Sequence, residues 1–173
     1  MATPDPFEIL GLEPRFDLEA SEIGRRQLDL SKALHPDRFA SAPAAERRMA
    51  LGRTIEVNQA ARALKDPVKR AEALARRRGM PVGETSEPRP APALLMEMME
   101  GREELAAAAS AGDRARVEKL GATMRSREAK VTADLAAAFE SDVPSDGVLA
   151  LLGELRYVRR FLDEVSAFEE TLL

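Results

Sequence analysis

Apolar residues recur along this chain with the three- and four-residue spacing that places side chains on one face of an α-helix. The most regular stripe runs through Val148, Leu151, Leu155, Val158, Leu162, Val165 and Leu172. A second stripe runs through Val117, Leu120, Met124, Val131, Leu135 and Ala138. No stretch sustains the apolar–polar alternation of a β-strand, and β-branched residues are few. The pattern therefore predicts an all-α protein.

Capping signals in the first part of the chain mark the ends of two predicted helices. Asp5 followed by Pro6 is typical of a helix start, and Gly11 suits the end of that short helix. A second helix is predicted from after Asp17 to about Leu34, because apolar residues fall on one of its faces.

Prolines punctuate the residues that follow. Pro36 ends the second helix, so that residues 35–37 lie in a predicted loop, and Pro43 fits the first turn of a third helix. Asp66 and Pro67 begin a fourth helix, which ends near Gly79. The third helix carries a core-facing stripe of Val57, Ala60, Ala61 and Leu64.

A proline-rich segment separates the two parts of the chain. Residues 79–92 contain four prolines and two glycines, a composition typical of a linker. Beyond it, longer helices are predicted at about 92–110, from Asp113 to about Glu140, and from Pro144 onward. Their short connections predict an up-down-up bundle. We therefore expect domains at 1–79 and 93–173, joined by a linker at 80–92.

Composition narrows the possible functions. Hydrophobic residues make up 45% of the chain and the mean hydropathy is −0.30, which predicts a soluble protein with a packed core. Cysteine is absent, which excludes disulfides, cysteine nucleophiles and thiolate zinc sites. No segment resembles a signal peptide or approaches the roughly 20 apolar residues of a membrane span. These features predict a cytoplasmic protein with no cofactor and no metal site.

Charge is spread unevenly along the chain. The net charge is −4, made up of +3 in residues 1–79 and −7 in residues 80–173. The two parts therefore present different electrostatic faces, either as ordinary solvated helix surfaces or as surfaces for two different partners. The small basic surplus and the 4% aromatic content argue against nucleic-acid binding.

His35, the single histidine of the chain, is followed directly by Pro36 and Asp37. Proline stiffens the loop, and no paired nucleophile, phosphate-binding loop or dinucleotide fingerprint accompanies it, so we predict a binding motif and no catalytic residue. A positive patch that favours an acidic partner is formed by Arg25, Arg26, Lys32 and Arg38. Two plainer interpretations stay open: a structural or merely exposed histidine, and an ordinary solvated basic face.

Residues 5–79 resemble a J-domain, and more narrowly the J-domain of the HscB (Jac) co-chaperones of iron–sulfur cluster biogenesis. The matching segments are His35-Pro36-Asp37-Arg38-Phe39-Ala40, Ile55-Glu56-Val57-Asn58-Gln59-Ala60 and Leu64-Lys65-Asp66-Pro67, followed by Arg70-Ala71-Glu72-Ala73-Leu74. Beyond the linker, the first helix of the family's C-terminal bundle is matched by Leu94-Leu95-Met96-Glu97 and Arg102-Glu103-Glu104-Leu105. Its last helix is matched by Arg156 and by Phe161-Leu162-Asp163.

The resemblance implies a fold and two partners. The implied fold is all-α, with an N-terminal J-domain of four helices that includes a helical hairpin, and a C-terminal three-helix bundle. The His-Pro-Asp loop and the basic helix before it would engage an HscA/DnaK-type ATPase chaperone. The bundle would bind an IscU-type scaffold that holds a nascent iron–sulfur cluster. The protein would deliver the scaffold to the chaperone, as a non-enzymatic monomer that binds neither nucleic acid nor membranes.

Helix geometry and the resemblance together favour one scaffold-binding face. At about 100° per residue, a core stripe is formed by Leu94, Met98, Leu105 and Ala108. The family's scaffold contacts match Leu95, Met96, Met99, Glu100, Glu103 and Phe161. Phe161 lies off the stripe of its own helix and is expected at the surface or an edge. Alternatively, the second apolar face packs against the J-domain or the third helix, and Phe161 packs between helices or domains.

Several positions depart from the family pattern. Ala107 stands where a further acidic scaffold contact is expected, and Met99 replaces the more usual leucine. Leu28 and Asp29 stand where general J-domains often carry basic residues, which suggests a specialised or weakened contact with the ATPase. Two rival functions stay open: a general J-protein that delivers another client to DnaK, and a helical module that carries His-Pro-Asp by accident.

Overall fold

The computed structural model describes residues 4–83, 90–141 and 143–171. Within these ranges the secondary structure is helical, which confirms the all-α prediction. The chain divides into two compact units, Met1–Gly79 and Met80–Leu173. The α-helices are α1 Pro6–Leu10, α2 Ala20–Ala33, α3 Ala44–Lys65, α4 Pro67–Arg77, α5 Pro92–Ser110, α6 Arg114–Glu140 and α7 Ser145–Thr171.

The predicted caps of α1 and α4 are confirmed. The Asp5 carboxylate accepts a hydrogen bond from the backbone N–H of Phe7 at 2.9 Å. The Asp66 carboxylate does the same for the first turn of α4, accepting from Val68 at 2.9 Å and Lys69 at 3.1 Å. Each carboxylate satisfies backbone donors that have no partner within the helix, so these starts are encoded locally.

The core of the first unit lies where α1 and α2 pack against α3. Its buried side chains include Phe7, Leu10, Phe16, Leu18, Ile23, Leu64 and Leu74. The predicted α3 stripe is also buried in full. Helices α2 and α3 form a hairpin, and the amide of Gln27 donates to Oδ1 of Asn58 across it at 2.9 Å.

Arg70 of α4 holds the connection between α1 and α2. Its guanidinium donates to the carbonyls of Phe16 at 2.6 Å, Leu18 at 2.9 Å and Leu64 at 2.7 Å, and lies 5.5 Å from the centroid of the Phe16 ring. Burial lowers the pKa of Arg70. Phe16 and Leu18 are buried ahead of the helix and Glu19 has an extended backbone, so α2 begins at Ala20, slightly later than the pattern after Asp17 predicted.

The second unit is the predicted three-helix bundle, with each helix packed against the other two. One cluster of its core contains Met98, Leu105, Ala108, Val117, Met124, Phe161 and Val165. The predicted stripe of α6 is confirmed, with Leu120 partly buried at its edge.

The predicted stripe of α7 needs correction. Leu152 and Phe161 are fully buried, whereas Leu151 and Leu162 are only half-buried. Leu172 lies outside the described residues. The difference arises because α7 contacts both α5 and α6, so its buried face is wider than the narrow seam of a two-helix pattern.

Candidate functional site

The His-Pro-Asp motif lies between α2 and α3 on a short turn of 3₁₀ helix, Pro36–Phe39. The predicted loop is therefore a 3₁₀ turn, with His35 as its N-cap and Pro36 at its first position. The fixed φ of proline suits a helical start, and its missing N–H costs nothing there. This turn holds His35 and Asp37 on either side of a rigid residue.

The side chains of the motif are presented to solvent. His35 is 58% exposed and Asp37 is 91% exposed. The Nδ1 atom of His35 accepts a hydrogen bond from the backbone N–H of Asp37 at 3.3 Å, and lies 3.5 Å from that residue's Oδ2. Because Nδ1 faces the turn, Nε2 is the ring nitrogen left to contact another molecule. The geometry suits recognition by another molecule.

The four predicted basic residues do not form one surface. Arg25, Lys32 and Arg38 are exposed, and the first two lie seven residues apart on one side of α2. Arg26 is half-buried, and its Nε donates to the carbonyl of Leu10 at 3.0 Å. Gly11 makes room for this contact, since a Cβ there would lie 2.5 Å from the Arg26 guanidinium. Arg26 therefore anchors α1 to α2.

Helix α5 shows the two apolar faces that its sequence predicted. Met98, Leu105 and Ala108 are buried, and Leu94 packs against their cluster. On the other side, Met96 is 62% exposed and Met99 is 63% exposed. Glu100 and Glu103 are also exposed there, and Leu95 is half-buried. Flexible, polarisable methionine side chains held in water suit a partner-binding surface.

Phe161 does not lie on that surface. Its ring is fully buried in the core cluster of the bundle, so the expectation of a surface or edge position is wrong. The Phe161 ring lies against α5 at Gly101, where an added Cβ atom would be 3.0 Å from Cε2 of Phe161. The absent side chain at Gly101 leaves the space that the ring fills.

An ion-pair cluster, which the sequence pattern did not reveal, fixes α5 against the other helices. Arg127 of α6 donates to Glu97 of α5 and, at 2.8 Å, to Glu154 of α7. The hydrogen bond from Arg127 holds the pKa of Glu97 below its usual value, and the same bond raises the pKa of Arg127. The periodicity of α6 could not show this, because it describes only one helix at a time.

Two further observations concern metal binding and the membrane. Among the described residues, His, Asp and Glu side chains form no group suited to holding a metal ion. None of the helices in the described ranges combines the length and apolar character needed to cross a membrane.

The structure is similar to that of the chaperone HscB from Vibrio cholerae, with a TM-score of 0.83 and 29% identity over 98% of this chain and 100% of that one. It also shares its fold with the human co-chaperone HscB, with a TM-score of 0.85 and 23% identity over 96% of this chain and 83% of the human one. The co-chaperone protein HscB homolog of Shewanella sp. (strain MR-4) is 31% identical over 170 residues, which are 96% of this chain and 98% of that protein.

This chain belongs to the HscB co-chaperone family. In agreement, residues 90–166 match the family described as the HSCB C-terminal oligomerisation domain. The recognition made from the sequence is therefore confirmed, as is the fold class. The HscB fold consists of an N-terminal J-domain, here α1–α4, and a C-terminal helical bundle, here α5–α7.

Proposed function

We propose that this HscB-family protein stimulates the ATPase of an HscA/DnaK-type chaperone and delivers to it an IscU-type scaffold for iron–sulfur cluster assembly and transfer. ATP is bound and hydrolysed by the partner, and this chain contributes binding surfaces only. The protein acts in the cytoplasm as a monomer.

The exposed His-Pro-Asp turn supports the chaperone part of the proposal. His35 and Asp37 are exposed on a 3₁₀ turn; Arg25 and Lys32 of the preceding helix and Arg38 of the turn itself are also exposed. Such a surface attracts an acidic partner and leaves a stiff motif free to contact it. Arg26 contributes as a positioning residue, since it ties α2 to α1.

The exposed face of α5 supports the scaffold part and is the observation on which the whole proposal depends. We define the scaffold face as Leu95, Met96, Met99, Glu100 and Glu103. It combines apolar side chains for burial with carboxylates at its rim, the usual composition of a protein-binding patch. Phe161 supports this face from the core through its packing on α5.

The test is the steady-state ATPase activity of an HscA/DnaK-type chaperone with this protein, in the presence and absence of an IscU-type scaffold. We expect stimulation by the protein alone and a larger, synergistic stimulation when the scaffold is added. If the scaffold does not change the stimulation, the function is that of a general J-protein. Absence of stimulation under both conditions would refute the proposal.

A further inference from the structure

Exposed aliphatic side chains lie on both helices of the α2–α3 hairpin. Leu28 of α2 is 54% exposed, and Leu51 and Ile55 of α3 are 60% and 50% exposed. Single exposed aliphatic residues are common on protein surfaces, so their relative placement decides whether they act together.

A polar seam between the helices fixes that placement. Gln27 donates to Asn58 at 2.9 Å and accepts from Lys65 at 3.0 Å. On α2, at about 100° per residue, the buried Ile23 lies to one side of Gln27 and Leu28 to the other.

The same division holds on α3. The buried Ala61 lies to one side of Asn58 and the exposed Ile55 to the other, with Leu51 one turn further along the same stripe. Because the two helices of a hairpin run in opposite directions, their buried sides lie on the same side of the seam, toward the core of the unit. Leu28, Leu51 and Ile55 therefore share the opposite, solvent-exposed side of the seam, which we call the outer face.

Positive charge borders this outer face. Arg25 and Lys32 lie three residues before and four residues after Leu28, and Arg48 and Arg62 lie seven residues before and after Ile55. All four are exposed, and the exposed acid beside them on α2 is Asp29. An apolar centre with a basic border complements a surface that has an apolar centre and an acidic border.

The outer face is also continuous with the His-Pro-Asp turn. Arg25, Leu28, Lys32 and His35 follow one another at spacings of three, four and three residues, and the turn packs against α3. A partner that contacts His35 is therefore placed to cover Leu28 as well.

We infer that Leu28, Leu51 and Ile55 form the apolar centre of the surface that docks the ATPase chaperone, whose matching surface is acidic with an apolar centre. This inference rests on the proposed function. Leu28 then replaces part of the ionic attraction by apolar burial, which salt does not screen. Docking by this chain is correspondingly less sensitive to salt than docking by basic residues alone.

The test compares a double variant, Leu28→Gln with Ile55→Gln, with a matched control, Met49→Gln. Met49 is another exposed apolar residue of α3, but it lies about 120° around the helix from Ile55. Glutamine has a helix propensity close to that of leucine, so these exposed substitutions should leave the fold intact. The measurement is the concentration of each protein that gives half-maximal stimulation of the chaperone ATPase, at low and at high salt.

We expect the double variant to raise this concentration roughly tenfold at both salt concentrations, to keep the maximal stimulation, and to keep the salt dependence of the wild-type protein, because both proteins carry the same charges. The control should match the wild type. An unchanged half-maximal concentration in the double variant, or an equal loss in the control, would overturn this inference while leaving the proposed function standing. Failure of the wild-type protein to stimulate at all would overturn both.

Discussion

The backbone of Gly101 in α5 lies directly against the aromatic ring of Phe161 in α7. A Cβ atom at Gly101 would lie 3.0 Å from Cε2 of that ring, which is tighter than most packing contacts, and at an ordinary contact distance of 3.6 Å from Cζ. Phe161 is fully buried beneath α5, whereas Met96 and Met99 occupy the exposed side of the same helix. The position of the scaffold face therefore depends on a glycine that has no contact with any partner in the proposal.

The first prediction concerns this contact. Gly153 of α7 is the matched control, because no atom lies within 4 Å of a Cβ added there. Gly153→Ala should stabilise the protein by about 0.5–1 kcal/mol through helix propensity. Gly101→Ala should stabilise the protein less than this or destabilise it. Gly101→Leu should lower the free energy of unfolding by about 1–3 kcal/mol, because the Phe161 ring has to move. Urea unfolding measures all three, and equal gains for the two alanine variants would contradict the packing.

The second prediction separates surface from support in scaffold binding. Replacing Met96 and Met99 together by Gln should weaken scaffold affinity by about 2 kcal/mol or more if they are hot spots. It should change the free energy of unfolding by no more than about 0.5 kcal/mol, because both side chains are exposed. Phe161→Ala should instead destabilise the bundle by about 3–5 kcal/mol. Calorimetric binding and urea unfolding together distinguish the two, and unchanged affinity in the methionine variant would remove the assignment.

The third prediction concerns His35. His35→Gln should abolish stimulation of the chaperone ATPase, because the exposed imidazole is lost from the turn. The thermal midpoint should stay within a few degrees of the wild type, since a surface substitution changes stability by only about 0.5 kcal/mol. Stimulation at the wild-type level by a folded variant would show that the motif is not the coupling element.

The fourth prediction concerns Arg70. Arg70→Met leaves the carbonyls of Phe16, Leu18 and Leu64 without their guanidinium donor, and should lower the free energy of unfolding by about 2–4 kcal/mol. Arg76→Met is the control, since Arg76 is exposed and pairs with Glu72 on the same helix at 3.2 Å. It should cost less than about 1 kcal/mol. Chemical denaturation that shows equal losses would mean that the three carbonyls find other partners.

The fifth prediction concerns acid stability. The pKa of Glu97 is lowered in the folded protein by its hydrogen bond with Arg127, from an ordinary value of 4.5. Because the pKa is lowered in the folded protein, the ionised carboxylate stabilises the fold at pH values above its ordinary pKa. This contribution is lost as the pH falls through the lowered pKa of the folded protein. Its size should stay below about 1 kcal/mol, because the carboxylate is more than half exposed.

Glu97→Gln should therefore reduce stability at neutral pH and make the decline in acid shallower than in the wild type. Free energies of unfolding at neutral and acidic pH give both slopes, and a wild-type slope in Glu97→Gln would refute the assignment.

The sequence alone determined the features that depend on neighbouring residues. Asp5-Pro6 and Asp66-Pro67 begin helices because each carboxylate caps backbone donors two or three residues away. The buried stripe of α3 and the two apolar faces of α5 follow from helical periodicity, which any single helix reveals. The His-Pro-Asp motif and the C-terminal matches are sufficient to identify the HscB family.

Only the tertiary structure decided the features that join distant residues. Phe161 is buried because Gly101, sixty residues earlier in the chain, leaves room for its ring. The sequence places Arg26 on an exposed basic patch and gives no partner for Arg70, yet backbone carbonyls of another segment accept hydrogen bonds from both guanidinium groups. Leu28 and Ile55 share a face because Gln27 bonds to Asn58 across the hairpin. Periodicity describes the angle of each residue about its own helix axis, whereas these contacts depend on how the helices pack.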